Sequence, residues 1–333
     1  MIRSKKNKKK YRILITGASG YIGSCLSKFL NQNYIVALVD KKKLPIWSIN
    51  KKIPFFKCDI LDKKKIYKIF KITKPNIVIH LAAQSTVDEK IPLSEYYSNN
   101  VTGTLNLIEV MKNNNINKII FSSTAAVYKK KSKKISENDK VKPISKYGKT
   151  KLTAEQLIQK EKSINSIILR FFNVCSALKN TLIGELHQPE THLIPSSVSR
   201  AEKNIPINIF GKNYPTKDGT CVRDYIHIQD ICDAIQKSIL YLNSNLQVKE
   251  IINLGNNNGI SNTEILKNIE VILNKKIIVN YLKRRKGDVP YLICNPSRAL
   301  KLLKWKAKMS SIKQIIMDDI KWNRFLKKNK IFR

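Results

Sequence analysis

Tyr147 and Lys151 stand four residues apart in Tyr147-Gly148-Lys149-Thr150-Lys151, so a helix there brings both to one face. A free tyrosine, with a pKa near ~10, is a poor base at neutral pH. A nearby ammonium favours the phenolate, and so would an oxidised nicotinamide ring. Tyr147 can then take a hydroxyl proton while hydride leaves the same carbon. Lys151 can also hydrogen-bond the nicotinamide ribose. Upstream, Phe121-Ser122-Ser123-Thr124 ends an apolar run in three hydroxyls. Thr124 is placed to hydrogen-bond the reacting oxygen and relay its proton, and Ser122 falls beside the cofactor. Tyr147, Lys151 and Thr124 are the expected catalytic set.

Such chemistry needs a dinucleotide, and Thr16-Gly17-Ala18-Ser19-Gly20-Tyr21-Ile22-Gly23 has the pattern that holds one. Residues 12–15 read as a short buried strand and those from Tyr21 onward as a helix. Gly17 allows the tight turn, Gly20 lets backbone approach a pyrophosphate, and Gly23 lets the helix pack against the sheet. The phosphates then meet free N–H groups and the positive end of the helix, next to Tyr21 and Ile22. Asp40, at the end of the next apolar run, can accept hydrogen bonds from the adenosine ribose hydroxyls and would repel a 2′-phosphate. NAD is therefore expected over NADP, although Lys41–Lys43 could tolerate extra phosphate. Asp59 and Ile60 are placed to contact adenine.

Apolar runs at Ile35–Val39, Phe55–Phe56, Ile77–Leu81, Ile119–Phe121 and Ile167–Phe171 read as buried parallel strands. Helical periodicity lies between them, around residues 21–31, 63–73, 94–113 and 145–160. This alternation predicts an α/β fold, a Rossmann-type doubly wound parallel sheet with helices on both faces. After residue 173 the pattern becomes irregular. Turn signals fall at Tyr214-Pro215 and Asp218-Gly219, and Ser261-Asn262-Thr263-Glu264 predicts a capping box opening a helix that ends near Asn274. A smaller C-terminal α/β lobe is expected, with a substrate cleft at the carboxyl ends of the strands. The expected division is a basic disordered tail over 1–10, a cofactor-binding domain over 11–172, and a mainly substrate-binding lobe over 173–330. Parts of 222–255 are free to return to the sheet.

The 333 residues carry 63 Lys and Arg against 24 Asp and Glu, a formal charge of +39. Lys, Asn and Ile, all with A/T-rich codons, are abundant together, and the lysines are not interleaved with aromatic residues. The charge reads as compositional drift, with only weak, salt-labile nucleic-acid attraction expected. No apolar run approaches the roughly 20 residues that span a bilayer, and Met1–Lys10 has no apolar core like that of a secretory signal. The six cysteines (Cys25, Cys58, Cys175, Cys221, Cys232 and Cys294) are scattered. None pairs at metal or redox spacing, so the expectation is a reduced, cytoplasmic setting, no metal and no membrane.

Together the glycine turn, the hydroxyl run and the Tyr–Lys pair resemble the extended short-chain dehydrogenase/reductase superfamily. Later segments narrow the resemblance to the UDP-glucose 4-epimerase family. They are Arg170-Phe171-Phe172-Asn173, Gly184-Glu185, Pro189-Glu190-Thr191-His192-Leu193-Ile194-Pro195, Phe210-Gly211, Tyr214 through His227, and Arg284-Arg285-Lys286-Gly287-Asp288. The similarity runs from about residue 11 to 325.

The resemblance implies that Asn173, Leu193, Arg223, Tyr225, Arg285 and Asp288 hold the UDP portion. Two arginines suit a diphosphate. It also implies that Leu81, Ala82, Ala83, Asn100 and Phe172 join the cofactor site. The implied activity interconverts UDP-glucose and UDP-galactose: hydride passes from sugar C4 to bound NAD, the 4-ketose swings, and hydride returns to its other face. A homodimer is the implied assembly. Lys41 and Lys42 depart from the asparagine or serine of many relatives. Leu292 falls where side-chain bulk governs access for N-acetylated sugars, and leucine predicts partial tolerance for UDP-N-acetylglucosamine. The alternatives are a related UDP-sugar 4-epimerase, including a UDP-xylose/arabinose enzyme, or a non-catalytic nucleotide- or RNA-binding protein. A 4,6-dehydratase is disfavoured, because Ala125 and Ala126 occupy the positions of its acid and base.

Overall fold

A computed structural model describes residues 11–45, 53–86, 88, 90–129, 134–179, 183–187, 190–285 and 287–331. The expected basic tail over 1–10 lies outside them.

Strand β1 (Arg12–Thr16) leads into helix α1 (Tyr21–Leu30), followed by β2 (Ile35–Asp40) and β3 (Phe55–Lys57). Helix α2 (Lys63–Thr73) returns the chain to β4 (Ile77–His80). Helix α3 (Leu93–Tyr97), a π-helical turn over Ser98–Thr102 and α4 (Gly103–Asn113) follow one another without a break, and a short turn leads to β5 (Lys118–Thr124). Helix α5 (Lys146–Lys160) crosses to β6 (Asn165–Phe171). The chain then enters a run of short strands: β7 (Asn173–Cys175), β8 (Ala177–Leu178) and β9 (Ile183–Gly184). Next come α6 (Leu193–Glu202), β10 (Ile207–Phe210), β11 (Val222–His227), α7 (Ile228–Ser244) and β12 (Lys249–Leu254). The last elements are β13 (Gly259–Ser261), α8 (Asn262–Leu273), β14 (Val279–Leu282), β15 (Tyr291–Leu292), α9 (Ser297–Leu303) and α10 (Ile312–Lys328).

Seven strands form one parallel sheet in the order β12-β6-β5-β4-β1-β2-β3. Strand β1 pairs with β2 on one side and β4 on the other, so the winding reverses there and opens a crevice at the strands' carboxyl ends. Apolar side chains pack on both faces, as the unbroken Ile/Val/Leu runs require. One face is covered by α1, α7 and α9, with Leu26, Ile235 and Ala299 in its core. The other is covered by α2, α4 and α5, with Phe70, Leu107 and Ile158.

A third core, around Val198, Ile265 and Ile316, holds the second lobe. Its strands are few and short. Strand β11 pairs with β7, β13 and β15, β10 pairs with β14, and β8 with β9. Strand β12 belongs to the large sheet and not to this lobe. The expected capping box is present: Ser261 Oγ accepts the Glu264 N–H, and Glu264 Oε2 accepts the Ser261 N–H at 2.8 Å. Asn274 ends that helix in the left-handed region, with φ 49°.

Candidate active site

The turn after β1 has little slack. Gly17 sits at φ +73°, and a Cβ there would fall 2.5 Å from the Ala82 nitrogen after β4. A Cβ on Gly23 would strike the Gly17 carbonyl. Glycine at these two positions lets the turn and α1 close on the end of β4. Helix α1 begins at Gly20 with no side-chain cap. Its first N–H groups therefore open toward the crevice.

A cleft of about 520 Å³ runs along this point. Gly17, Gly20, Tyr21, Ile22 and Gly23 line one part, and Asp40, Asp59 and Ile60 another. Leu81, Ala82, Ala83, Ser122, Tyr147 and Lys151 are also part of its lining. Asp40 Oδ2 accepts the Ser19 N–H (2.9 Å) and Oδ1 the Lys42 N–H (2.8 Å), which fixes the carboxylate at the strand end. Lys41 donates to Asn99 Oδ1 at 3.0 Å and lies 3.9 Å from Asp59 Oδ2, so it bridges across this end of the cleft. These features fit a dinucleotide: uncapped helix N–H groups for a pyrophosphate, and a fixed strand-end carboxylate for a ribose diol.

Of the residues expected to bind cofactor or to react, three lie outside the lining, each for a visible reason. Asn100 is buried below it: its Oδ1 accepts the Gln84 N–H (2.7 Å), and its Nδ2 donates to Thr150 Oγ1 (3.0 Å). It braces the cleft wall from behind. Phe172 is buried against Val127 and Leu292, and its neighbour Phe171 lines the cleft instead. Successive residues of an extended chain face opposite ways. Thr124 ends β5, where its Oγ1 accepts the Ala126 N–H at 3.1 Å.

The groups expected to react sit where β5 and α5 meet. The Thr124 hydroxyl hydrogen-bonds the Tyr147 phenol and lowers its pKa, but burial is the stronger influence and pushes the phenol up to about 12. Lys151, only 2% exposed, is brought down to about 7 by burial, against the opposing pull of Glu155. Glu155 stands four residues beyond Lys151 on α5. It accepts from Arg170 Nε (2.9 Å) and Nη2 (2.6 Å), and from Ser123 Oγ. The sequence reading missed this buried Ser123–Glu155–Arg170 set, although the i, i+4 spacing from Lys151 was there to be read. It also missed His80, whose ring nitrogens lie 2.7 Å from Thr16 Oγ1 and 3.1 Å from Thr104 Oγ1. Burial first, and then Lys151, depress His80 to about 3, so it stays neutral. Ser122 Oγ donates to the His80 carbonyl at 3.1 Å.

The residues expected to hold the nucleotide gather on β7, β11, β15 and the adjoining loops. Asn173 and Tyr225 are paired in register, and Asn173 Nδ2 donates to the Asp224 carbonyl at 3.0 Å. Arg223 pairs in register with Leu292. Its Nη1 donates to Val289 O (2.6 Å) and Val222 O (3.0 Å), while Nη2 is 3.4 Å from Asp288 Oδ1. The Arg285 guanidinium lies 3.8 Å from the ring centroid of Phe210. Leu193 opens α6 and packs with Tyr225 onto the third core. Burial raises the Tyr225 phenol above its ordinary value. Leu292 shares a cluster with Ala125 and Val127, just beyond Thr124, and so connects this group to the catalytic end.

The family profile described as "NAD dependent epimerase/dehydratase family" matches residues 13–255. A UDP-glucose 4-epimerase from Lactobacillus helveticus is 35% identical over 94% of this chain and 97% of its own. The crystal structure of a UDP-glucose-4-epimerase from Stenotrophomonas maltophila, with bound NAD and formylated UDP-arabinopyranose, superposes with a TM-score of 0.90. Its identity is 30%, covering 96% of this chain and 99% of that one. A UDP-glucose 4-epimerase from Bifidobacterium longum in complex with NAD+ and UDP gives 0.87 at 29% identity, covering 96% and 99%.

Proposed function

The chain belongs to the NAD dependent epimerase/dehydratase family, and from that premise we propose that its cleft interconverts UDP-glucose and UDP-galactose at sugar C4. One observation carries the reading: a glycine turn fit for a dinucleotide, the Tyr147 phenol and the Lys151 amine all line the same cleft. NAD, when bound, supplies the hydride acceptor and returns the hydride.

The chain's own residues do the rest. Gly17, Gly20, Tyr21, Ile22 and Gly23 hold the pyrophosphate, Asp40 the adenosine ribose, and Asp59 and Ile60 the adenine. Tyr147 takes the proton of the 4-hydroxyl and later gives it back. Thr124 hydrogen-bonds the same oxygen. The Lys151 ammonium stabilises the phenolate. A phenol pushed up to about 12 is fully protonated at neutral pH, so it becomes a base only when positive charge gathers around it. Asn173, Leu193, Arg223, Tyr225, Arg285 and Asp288 grip the nucleotide diphosphate, and Leu292 bounds the sugar. An anchored nucleotide leaves the 4-keto sugar free to turn over between the two hydride transfers.

The boundary near residue 172, with the large sheet binding cofactor and the β7–β11–β15 group binding UDP, belongs to this reading, as do a homodimer and a cytoplasmic setting. All six cysteines are free and buried, which supports a reducing compartment. Among the described residues, no helix is long and apolar enough to cross a membrane. The test is to mix the purified chain and NAD with UDP-galactose and look for UDP-glucose by chromatography. No product from protein with NAD bound would remove the assignment.

A further inference from the structure

Four metal-ligating side chains converge between β9 and α6, and the proton and hydride transfers proposed above use none of them. Glu185 directly follows β9, and His192 is the residue from which α6 starts. His187 Nδ1 lies 2.9 Å from Glu185 Oε1. His192 Nδ1 lies 3.1 Å from that same oxygen and 3.1 Å from Glu190 Oε1. The four donor atoms fall within 4.8 Å of one another.

Burial makes this more than a surface cluster. The Glu185 and Glu190 side chains are 3% and 8% exposed, while His187 and His192 are 42% and 55% exposed. Two carboxylates held this close and this dry repel each other, and a cation between them relieves the repulsion. Both imidazoles turn their Nδ1 atoms toward one carboxylate oxygen. Bonds of about 2.0–2.1 Å in a tetrahedron put neighbouring donors about 3.3 Å apart, close to the 2.9, 3.1 and 3.1 Å of the three imidazole–carboxylate contacts. Two imidazole nitrogens with two carboxylate oxygens suit a borderline divalent transition ion, whereas calcium and magnesium prefer oxygen alone.

We propose that Glu185, His187, Glu190 and His192 form a site for a divalent transition-metal ion, with zinc the preferred occupant. The surrounding chain already fixes the donors. Trp322 Nε1 donates to the Glu185 carbonyl at 2.7 Å, and Glu190 Oε1 accepts the His192 N–H at 2.9 Å. The ion's role is to tie the end of β9 to the start of α6. Leu186 and His187 line the dinucleotide cleft, and Leu193 begins the helix on the nucleotide side. The tie therefore sets one wall shared by both ligands and takes no part in proton or hydride transfer. The cysteines contribute nothing to it.

The test uses the full chain, stripped with a chelator and dialysed, then titrated with zinc chloride by calorimetry and with cobalt chloride by visible absorption. One equivalent of zinc per chain is expected, displacing cobalt that shows the intense bands of four-coordinate Co2+ and raising the melting temperature by mass action. His187→Ala/His192→Ala loses that equivalent. Glu185→Gln and Glu190→Gln, titrated in parallel, each weaken it by roughly tenfold or more. Circular dichroism on every variant checks that it is folded. Failure of the wild-type chain to take up one equivalent would overturn the site, as would an equivalent retained unchanged by the folded variants. Neither result bears on epimerase turnover measured separately.

Discussion

Lys151 holds its Nζ over the face of Phe121, 4.0 Å from the ring centroid. An ammonium in that place gains from the ring but loses its water, and burial prevails, bringing the amine to about 7. The consequence for stability has a definite sign. Between pH 7 and the ordinary lysine value, the unfolded chain carries a proton on Lys151 that the folded chain has lost. The unfolded state then binds more protons, and stability rises with pH across that window. Below pH 7 both states are protonated, and the full cost of burying the charge is felt. In urea titrations of cofactor-free protein at pH 7, 8 and 9, the midpoint of wild type should gain on that of Lys151→Met as pH increases. Midpoints that move in parallel would show that Lys151 titrates normally.

In the proposed reaction, Tyr147→Phe removes the proton acceptor and little else. Positioned proton transfer supplies about 10²–10⁴-fold, so turnover should fall by that factor. NAD affinity, followed by fluorescence quenching, should change little. A variant with near wild-type turnover would take the base away from Tyr147.

Glu155 and Arg170 form a buried ion pair, with side chains 2% and 4% exposed. Glu155→Gln strands the guanidinium, and a stranded buried charge costs about 3–5 kcal/mol. Because Glu155 is the group that supports the Lys151 ammonium, the pH–rate profile of this variant should shift as well. Replacing both partners with apolar residues should recover most of the stability but not the profile. Chemical denaturation together with the pH dependence of kcat separates the two effects.

Arg223 is held by two backbone carbonyls and faces Asp288. A hydrogen bond to a charged group contributes about 1.5–3 kcal/mol. Arg223→Met should therefore raise KM for UDP-galactose, and the inhibition constant of UDP, by roughly 10–100-fold. A fall in kcat with KM unchanged would place Arg223 away from the nucleotide.

Local pattern made much of this molecule readable. The Ile/Val runs predicted β1, β2, β4, β5 and β6 because a strand buried on both faces has no polar alternation. Helix α5 and the face shared by Tyr147 and Lys151 follow from spacing alone, and Ser261 and Glu264 announce α8. Other features depend on contacts between distant parts of the chain. The π-helical turn over Ser98–Thr102 surrounds Asn100, whose partners, Gln84 and Thr150, lie far away in sequence. Whether Phe171 or Phe172 faces the cleft is decided by how the chain leaves β6 for β7. Strands β8 and β9, two residues each, exist only through their pairing with each other. The donors Glu185, His187, Glu190 and His192 stand in an irregular stretch with no periodicity to set them on one side.

Isotope tracing puts the proposed reaction to its most direct trial. UDP-galactose carrying deuterium at C4 is incubated with the NAD-loaded protein in ordinary water, and the product is analysed by mass spectrometry and NMR. UDP-glucose with deuterium retained at C4 is the predicted result, because the hydride that leaves the sugar is the one that returns. Failure to form UDP-glucose, or UDP-glucose with solvent hydrogen at C4, would contradict it.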